Sequence, residues 1–473
     1  MTDDPIWRLG VHELSEQIRT KALSPVELAS ALLDRIEELD SDYRGFITVT
    51  GEQALAAAKT AEAEIASGNY RGPLHGIPYG AKDIFNTAGV RTTMGTKFYS
   101  DFVPTENADA IDRLEKAGAI LIGKCNTHEF AAGSTTINQY FGTARNPWNR
   151  ERIVGGSSGG SAVVLAACMA PLTLGSDTGG SIRTPAALCG AMGLKPTAGR
   201  VSLRGIYPNT PTLDHAGPMA RSVRDLAHAL QVIAGYDPLD PESVDVPVPD
   251  YMADIEKGVK GARIIVSPDF TQNAEADEAV ATAFERAIET FAKLGAKIET
   301  RPFPEAKRFD DIFRDISGPE FAEVHRKHFG DEPEAYDEAV GRRVEWSLKI
   351  PLDDYVRALR QRELLIREIA AFMEGADAMI SPAVPCVAPP IATKMARING
   401  RDVPYVYLHR PFQSVHNLTG MPAMAMPMGF NEESMPVGLQ IVSGLWREAD
   451  VLRVARAFEL ATPEIQAARP PTG

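Results

Sequence analysis

Two short clusters of glycine and serine dominate the chemistry that this sequence offers. The first, IVGGSSGGSA, occupies residues 153–162, and the second, LGSDTGGSIRTPAALCG, begins twelve residues further on. Glycines let the backbone turn tightly and bring uncovered N–H groups close to a ligand. Such groups near a helix N-terminus suit an oxyanion, which makes a neighbouring serine hydroxyl a candidate nucleophile. Ser181, which follows Gly179 and Gly180, is the better nucleophile of the two candidates Ser157 and Ser181.

Other interpretations of these clusters are weaker. A flexible linker would not lead directly into AVVLAACMAPLTLG, which needs burial, and a phosphate loop would carry a lysine that neither cluster has. The segment at 156–160 matches G-x-S-x-G, but the preceding NPWNRERIV is too polar for the strand that this hydrolase elbow follows. The DTG at 177–179 resembles an aspartic-protease loop, and the second copy that those enzymes need is missing.

A serine nucleophile needs a base, and the sequence offers two residue types for it. Among nine histidines, His215 in TLDHAGPMAR is the least remote candidate, with a structural role as the favoured interpretation. Lys82 ends the apolar run of GPLHGIPYGAKDIFNTAG. It could act as a base if its surroundings lowered its pKa by several units. The alternative, an ion pair of Lys82 with Asp83 or another carboxylate, stays open.

The elements around these residues read as an α/β protein. SPVELASALLDRIEELD predicts a helix with Ser24 as its cap and Pro25 at its first position, and a second helix ends near Gly68. The runs GIPYGAKDIF, AILIGKCNT and APLTLGSDTGG predict strands between Ala-rich helices, hence a sheet with helices on both faces. We divide the chain into an N-terminal helical segment (1–70), a catalytic core (71–236), a peripheral helical layer with substrate-side elements (237–377) and a return to the core sheet with a C-terminal helix (378–473).

Composition narrows the classes of protein. With 473 residues, 44% hydrophobic residues and a formal charge of −14, the chain is an acidic globular protein unsuited to a general nucleic-acid or anionic-membrane surface. The four cysteines are widely spaced and are expected to be reduced and buried. No signal peptide or membrane span is expected, so a cytoplasmic location is favoured.

Three segments together resemble the amidase signature family. They are GPLHGIPYGAKDIF, the block GKCNTHEFAAGSTTINQYFGTARNPWNRERIVGGSSGGSA, and LGSDTGGSIRTPAALCGAMGLKPTAGRVS. The resemblance covers most of the chain and implies a large mixed β-sheet covered by helices on both faces. It also implies amide hydrolysis by a Ser–Ser–Lys triad, with Ser181 as the acylated nucleophile, Ser157 as the bridging hydroxyl after a cis peptide bond, and Lys82 as the base.

The resemblance implies further site residues. Backbone N–H groups of Ser181 and of the three residues before it would hold the oxyanion, and a strip at AGS would contact substrate. The oxyanion residues before the nucleophile are Thr178, Gly179 and Gly180, and the contact strip is Ala132, Gly133 and Ser134. Asp177 and Arg183 are expected to brace the loop. No metal and no cofactor is expected.

The resemblance also bears on the substrate. The glutaminase branch of the family, which belongs to the tRNA-dependent amidotransferase, carries an acidic residue seven positions before the asparagine of its N-L-x-G-x-P segment. Here that asparagine is Asn417 and the earlier residue is Arg410, which disfavours glutamine. His409, Phe412 and His416 fit an aryl, acyl or polar amide. The expected partner is a small-molecule amide, with no nucleic acid or membrane. The resemblance is compatible with a homodimer. Two alternative functions on the same fold stay open: a glutaminase-type amidotransferase subunit and a non-catalytic binding protein.

Overall fold

One long mixed sheet organises the molecule, for which a computed structural model describes residues 4–272, 276–304, 306–406 and 408–471. The strands of this sheet are β1 Phe46–Val49, β2 Pro78–Lys82, β3 Ile120–Cys125, β4 Leu172–Ser176, β5 Met192–Lys195, β6 Ala216–Ala220, β7 Arg263–Val266, β8 Lys297–Thr300, β9 Ala378–Pro382, β12 Ala423–Phe430 and β13 Pro436–Val442. A separate antiparallel hairpin consists of β10 Met395–Ile398 and β11 Arg401–Pro404. Within the described ranges, the main sheet has eleven strands in the order β1-β3-β2-β4-β6-β5-β12-β13-β9-β7-β8. Strands β3, β2 and β4 are parallel neighbours, as are β9, β7 and β8, and the remaining pairs are antiparallel.

Helices surround the sheet. They are α1 Val11–Arg19, α2 Pro25–Tyr43, α3 Gly51–Ala66, α4 Asp109–Lys116, α5 Gly159–Ala166, α6 Arg183–Cys189, α7 Val223–Ile233, α8 Asp269–Gln272, α9 Glu278–Lys293, α10 Ala306–Asp331, α11 Glu338–Ser347, α12 Leu352–Phe372, α13 Arg410–Leu418, α14 Glu448–Ala461 and α15 Pro463–Ala467. The predicted cap is confirmed, because Ser24 Oγ accepts hydrogen bonds from the N–H groups of Val26 and Glu27 and Pro25 opens α2.

The centre of the sheet is covered on both faces. Every residue of β2, β4 and β6 is buried, and successive side chains of a strand point to opposite faces, so both faces must be packed against other elements. Helix α5 is likewise buried along its whole length. The apolar run AVVLAACMAPLTLG is therefore a buried helix followed by a buried strand, and the predicted fold class is confirmed.

A second cluster of apolar side chains lies beside the main core. It joins α10 to α13 through the buried side chains of Phe309, Phe313, Phe412 and Val415. Since the described part of α10 packs against α11, α12 and α13, these helices form a layer next to the loops that carry the serines. The division of the chain into four segments stays a prediction.

Two predictions about the whole chain can be compared with the structure. All four cysteines are free and buried, as their spacing indicated. In the part of the chain that the structure describes, no helix combines the length and the apolar character needed to cross a bilayer.

Candidate active site

Strand β2 ends by placing a lysine under two serine hydroxyls. Lys82 is its last residue and is completely buried, with Nζ 2.6 Å from Ser157 Oγ and 2.7 Å from Ser176 Oγ. Strands β2 and β4 are parallel and in register from Tyr79 with Leu172, which brings their carboxyl ends to the same edge of the sheet. The sheet itself thus delivers Lys82 and Ser176 to one point.

Burial has a direct effect on this amine. It lowers the pKa of Lys82 to about 7, although the carboxylates of Asp177 and Asp214 act in the opposite direction. Lys82 forms no ion pair with any described residue, so the alternative of a Lys82–Asp83 pair is wrong: Asp83 pairs with Lys124 instead, at 3.7 Å. Burial therefore favours the neutral amine, which is the form that a base requires.

The first Gly/Ser cluster holds Ser157 rigidly. The Gly156–Ser157 peptide bond is cis, as the resemblance implied. The Ser157 carbonyl accepts hydrogen bonds from Thr127 Oγ1 at 3.0 Å and from the His128 N–H at 3.2 Å. A Cβ on Gly156 would lie 2.8 Å from the backbone nitrogen of Thr135, so only glycine fits there. Ser157 is completely buried and its position is set by backbone contacts on both sides of the turn.

The second cluster brings Ser181 to the wall of a small cavity of about 40 Å³. The two clusters are joined directly, because the Ser158 N–H donates to the Ser181 carbonyl at 3.2 Å. The predicted contact strip Ala132, Gly133 and Ser134 lines the same cavity. The structure therefore brings together all the predicted site segments, which lie as far apart in sequence as residues 82 and 181.

One predicted oxyanion donor is already engaged. The Gly180 N–H donates to Asp177 Oδ1 at 2.7 Å, which differs from the expected set of four donors. Among the described residues, no hydrogen bond uses the N–H groups of Thr178, Gly179 or Ser181. The physical reason is that Asp177 lies at the centre of the turn and accepts the N–H group pointing inward. The turn still requires a glycine at position 180, since φ there is +121° and a Cβ would lie 1.7 Å from Gln413 Oε1.

Asp177 and Arg183 brace this turn, as predicted. Arg183 Nη2 lies 2.9 Å from Asp177 Oδ1, and both side chains are completely buried. Burial alone would raise the pKa of the Asp177 carboxyl, but the Arg183 charge and its hydrogen bonds, together with Asn417, hold it well below its usual range. Asn417 Nδ2 also donates to the Asp177 carbonyl at 2.9 Å. The turn that carries the predicted oxyanion donors is thus held by a buried ion pair.

The histidine candidate is not part of this arrangement. Nδ1 of His215 lies 2.8 Å from the carbonyl oxygen of Leu213 and 3.2 Å from that of Asp177, so it supports the loop. Burial lowers the pKa of His215 well below its usual value. The favoured structural interpretation of His215 is confirmed by these contacts.

Sequence reasoning missed five residues of the site, one of which, Ala131, directly precedes the predicted contact strip and lines the same cavity. Ser176 contacts Lys82, and its place directly before the DTGG turn was an available signal. Asn209, Phe313 and Arg343 line the cavity beside Ser181. Nothing in the sequence around these three marks them, because they reach the site from separate loops and helices. Arg410, flagged by its position, also lines the cavity.

Among the residues that the structure describes, no group of three or more His, Cys, Asp or Glu side chains is arranged to hold a metal ion.

Comparison with known proteins assigns this arrangement to a family. The family model described as Amidase matches residues 27–452, nearly the whole chain. The chain belongs to the amidase signature family. Its general activity follows from the family and from the enzymes it resembles: this amidase-family chain is an amidohydrolase.

Three known proteins illustrate the range of the family. The A component of glutamyl-tRNA(Gln) amidotransferase from Geobacter sp. (strain M21) is 39% identical over 485 residues, which cover 97% of this chain and 98% of that protein. The solved structure of the same component from Thermotoga maritima has a TM-score of 0.80 at 31% identity and covers 97% of this chain and 96% of its own. A solved structure from a vestigial protein complex, which reveals the evolutionary origins of an s-triazine catabolic enzyme, has a TM-score of 0.91 at 33% identity. The match covers 98% of this chain and 100% of that chain.

Proposed function

We propose that this amidase hydrolyses a carboxylic amide through an acyl-enzyme on Ser181, with Ser157 as proton relay and Lys82 as base. The observation that carries the proposal is the completely buried amine of Lys82, which lies 2.6 Å from the Ser157 hydroxyl and 2.7 Å from the Ser176 hydroxyl. Burying an amine without a carboxylate favours its neutral form. A neutral amine in contact with a hydroxyl is the pair that a serine nucleophile requires.

The acylation step moves one proton through two hydroxyls. Lys82 Nζ takes the proton of Ser157 Oγ while Ser157 takes the proton of Ser181, and Ser181 Oγ bonds to the amide carbon. The carbonyl π electrons move to oxygen, where the N–H groups of Thr178, Gly179 and Ser181 stabilise the negative charge. The C–N bond then breaks, and the leaving nitrogen receives the proton back from Lys82 through Ser157. The mechanism requires Ser181 Oγ to reach Ser157 Oγ when substrate is bound.

Deacylation repeats the same steps with water. Water attacks the ester carbon and gives its proton to the relay, and the oxyanion again lies against the backbone donors. The C–O bond to Ser181 breaks, Ser181 recovers the proton, and the carboxylic acid leaves. Removing one oxyanion donor typically costs about 10²–10³ in rate, so the backbone of the 178–181 turn is expected to contribute substantially to the rate.

The substrate and the partners are narrower questions. We propose an acyl- or aryl-amide as substrate, cleaved to an acid and an amine or ammonia, in a cytoplasmic enzyme that can form a homodimer. The alternative is a glutaminase-type amidotransferase component with protein partners, which the name of the Geobacter relative favours. Arg410 weighs against glutamine, because this positive side chain lines the cavity in which the glutamine ammonium group would have to be accommodated.

A labelling experiment tests the proposed function. A fluorophosphonate probe should modify the folded protein on Ser181, and the variants Ser181→Ala and Ser157→Ala should not be labelled or should react much more slowly. Ser67→Ala, at an exposed serine, is the matched control and should react like the natural protein. A panel of aryl, aliphatic and amino-acid amides then measures release of ammonia or amine. Failure of the folded protein to react at Ser181 would support the non-catalytic binding protein instead.

A further inference from the structure

The peptide group between Asp177 and Thr178 carries one of the predicted oxyanion donors. Thr178 is 7% exposed and lines the cavity beside Ser181, and its N–H forms no hydrogen bond with any described residue. A buried N–H without a partner is rare in proteins, so a molecule in the cavity is expected to accept from this one. The direction in which this peptide group faces therefore decides whether the donor is available to a substrate.

Two buried side chains hold the carbonyl oxygen of the same peptide group. Asn417 Nδ2 donates to the Asp177 carbonyl oxygen at 2.9 Å, and His215 Nδ1 lies 3.2 Å from that oxygen. A carbonyl oxygen has two lone pairs, so these two groups occupy both. The Asp177–Thr178 peptide bond is trans, and in a trans peptide group the C=O and the N–H point in opposite directions. A carbonyl held on the side of Asn417 and His215 thus leaves the Thr178 N–H on the other side.

The surroundings of Asn417 and His215 fix both as donors toward Asp177. Arg183 Nη2 donates to Asn417 Oδ1 at 2.7 Å, and a guanidinium has donors only, so the amide nitrogen of Asn417 must face Asp177. His215 Nδ1 lies near two carbonyl oxygens, those of Leu213 and Asp177, so this nitrogen must carry the ring proton. Burial lowers the pKa of His215 well below its usual value, which keeps the ring neutral with that single proton.

A third contact holds the same peptide group from the side of Thr178. Thr178 Oγ1 donates to Asp214 Oδ1 at 2.5 Å. The other oxygen, Asp214 Oδ2, accepts from the N–H groups of Asn209 at 2.8 Å and Thr210 at 3.1 Å. The peptide group is therefore held at its carbonyl by one set of residues and at the next side chain by another. It cannot rotate without breaking hydrogen bonds in a buried region.

We infer that Asn417 and His215 are positioning residues, which hold the Asp177 carbonyl away from the cavity and so present the Thr178 N–H to the oxyanion. The inference rests on the proposed function, since the donor acts only when Ser181 attacks a substrate. A peptide group turned the other way would remove this donor and bring a carbonyl oxygen toward the negative charge. The described residues that line the cavity include neither Asn417 nor His215, so both act through the main chain.

Two matched probes measure the oxyanion donors without knowledge of the substrate. When a fluorophosphonate labels Ser181, the Oγ–P bond forms, fluoride leaves, the serine proton passes to the Ser157–Lys82 relay, and negative charge grows on the phosphoryl oxygen. A probe with sulfur in place of that oxygen accepts hydrogen bonds weakly, so the ratio of the two labelling rates, oxygen over sulfur, reports the donors. His215→Leu and Asn417→Leu should each lower this ratio by about 10-fold or more, because one oxyanion donor is worth about 10²–10³ in rate.

Conservative and distant variants separate positioning from general damage. His215→Asn offers an amide N–H near the place of the ring Nδ1–H and should recover most of the ratio. His228→Leu removes a histidine of α7 that contacts His12, and it should keep the natural ratio. Circular dichroism identifies the variants that fold. A folded leucine variant with the natural ratio would overturn the inference even if both probes react more slowly, because equal slowing indicates damage to the Lys82–Ser157 relay.

A crystal structure of the natural protein labelled on Ser181 gives a second measurement that needs no variant. The phosphoryl oxygen should lie about 3 Å from the Thr178 nitrogen, with the Asp177 carbonyl still bonded to Asn417. A phosphoryl oxygen without contact to that nitrogen would overturn the inference and leave the proposed function intact. Absence of labelling in the folded natural protein would remove both.

Discussion

Two buried lysines on neighbouring strands differ in what surrounds their amines. Lys82 of β2 and Lys124 of β3 lie at adjacent positions of the parallel pair, where Ala81 is opposite Lys124 and Lys82 opposite Cys125. Both side chains are completely buried. By composition and burial alone, either could be the base.

The acceptors around Lys124 keep its charge. Its Nζ lies 3.7 Å from Asp83 Oδ1 and donates to the Phe85 carbonyl at 2.5 Å and to Thr92 Oγ1 at 2.7 Å. Burial lowers the pKa of Lys124 to about 8, with the Asp83 carboxylate acting against that shift. A carboxylate and a carbonyl stabilise the ammonium form of the amine, so the contacts of Lys124 favour a structural role.

The acceptors around Lys82 are hydroxyl groups. Ser157 and Ser176 can donate a proton as well as accept one, so contact with them does not require Lys82 to be charged. The comparison shows that burial prepares a lysine to be neutral and that its partners decide whether neutrality is useful. A buried lysine next to hydroxyls is a candidate base, whereas one next to a carboxylate supports the fold.

The largest expected effect separates the two lysines by activity. Lys82→Met and Ser181→Ala should each lower kcat by about 10⁴-fold or more, the loss typical of members of a nucleophile–base unit. The measurement is amide turnover at saturating substrate, with circular dichroism to confirm that each variant is folded. A Lys82→Met variant with more than about a tenth of the natural activity would remove Lys82 as the base.

The next effect separates them by stability. Lys124→Met leaves the Asp83 carboxylate buried without its cation and should lower the free energy of unfolding by about 3–5 kcal/mol. Activity per folded molecule should stay nearly unchanged, because Lys124 takes no part in the chemistry. Urea unfolding measures the first quantity and active-site titration the second. Adding Asp83→Asn, which removes the charge, should recover part of the lost stability; no recovery would show that the cost has another origin.

The pH dependence gives a smaller and graded effect. The proposed mechanism uses Lys82 in its neutral form, and burial lowers its pKa to about 7, so kcat/KM should fall as pH drops below about 7 and level off above it. On the acid side the decrease should approach about 10-fold per pH unit, as for a single titrating base. The Asp83→Asn/Lys124→Met variant should keep this midpoint. A profile that is flat down to about pH 5 would contradict a lysine base.

The smallest effect concerns the hydroxyl that sequence reasoning missed. Ser176→Ala removes one of the two hydroxyls near Lys82 and should lower kcat/KM by about 3–10-fold, the size of one hydrogen bond. An acceptor stabilises the ammonium form, so its loss should move the acid midpoint to lower pH. Ser161→Ala, whose hydroxyl donates to the Leu174 carbonyl, is a nearby control and should leave the midpoint in place.

Local patterns were sufficient for the elements near the site. Caps, apolar runs and glycine turns act over a few residues, and they predicted four of these elements. The elements are the helix that begins at Pro25, the buried helix and strand within 159–176, and the strand that ends at Lys82. The motif resemblance placed Lys82, Ser157 and Ser181 in one site, and the contact between Lys82 and Ser157 agrees with it. The oxyanion set stays a prediction, and local patterns did not predict that the Asp177 side chain accepts the hydrogen bond of one of its members, the Gly180 N–H.

The sequence by itself determined the α/β core, the two glycine-rich turns and the lysine at the end of an apolar strand, since these features depend on residue type and short spacing. Only the tertiary structure decided that Lys82 meets two serine hydroxyls and forms no ion pair with a described residue, whereas Lys124 meets Asp83, because strand register sets those neighbours. It also decided that Arg343 and Arg410, on separate helices, line one cavity with Ser181. Long-range packing produces such neighbours, and no local pattern encodes them.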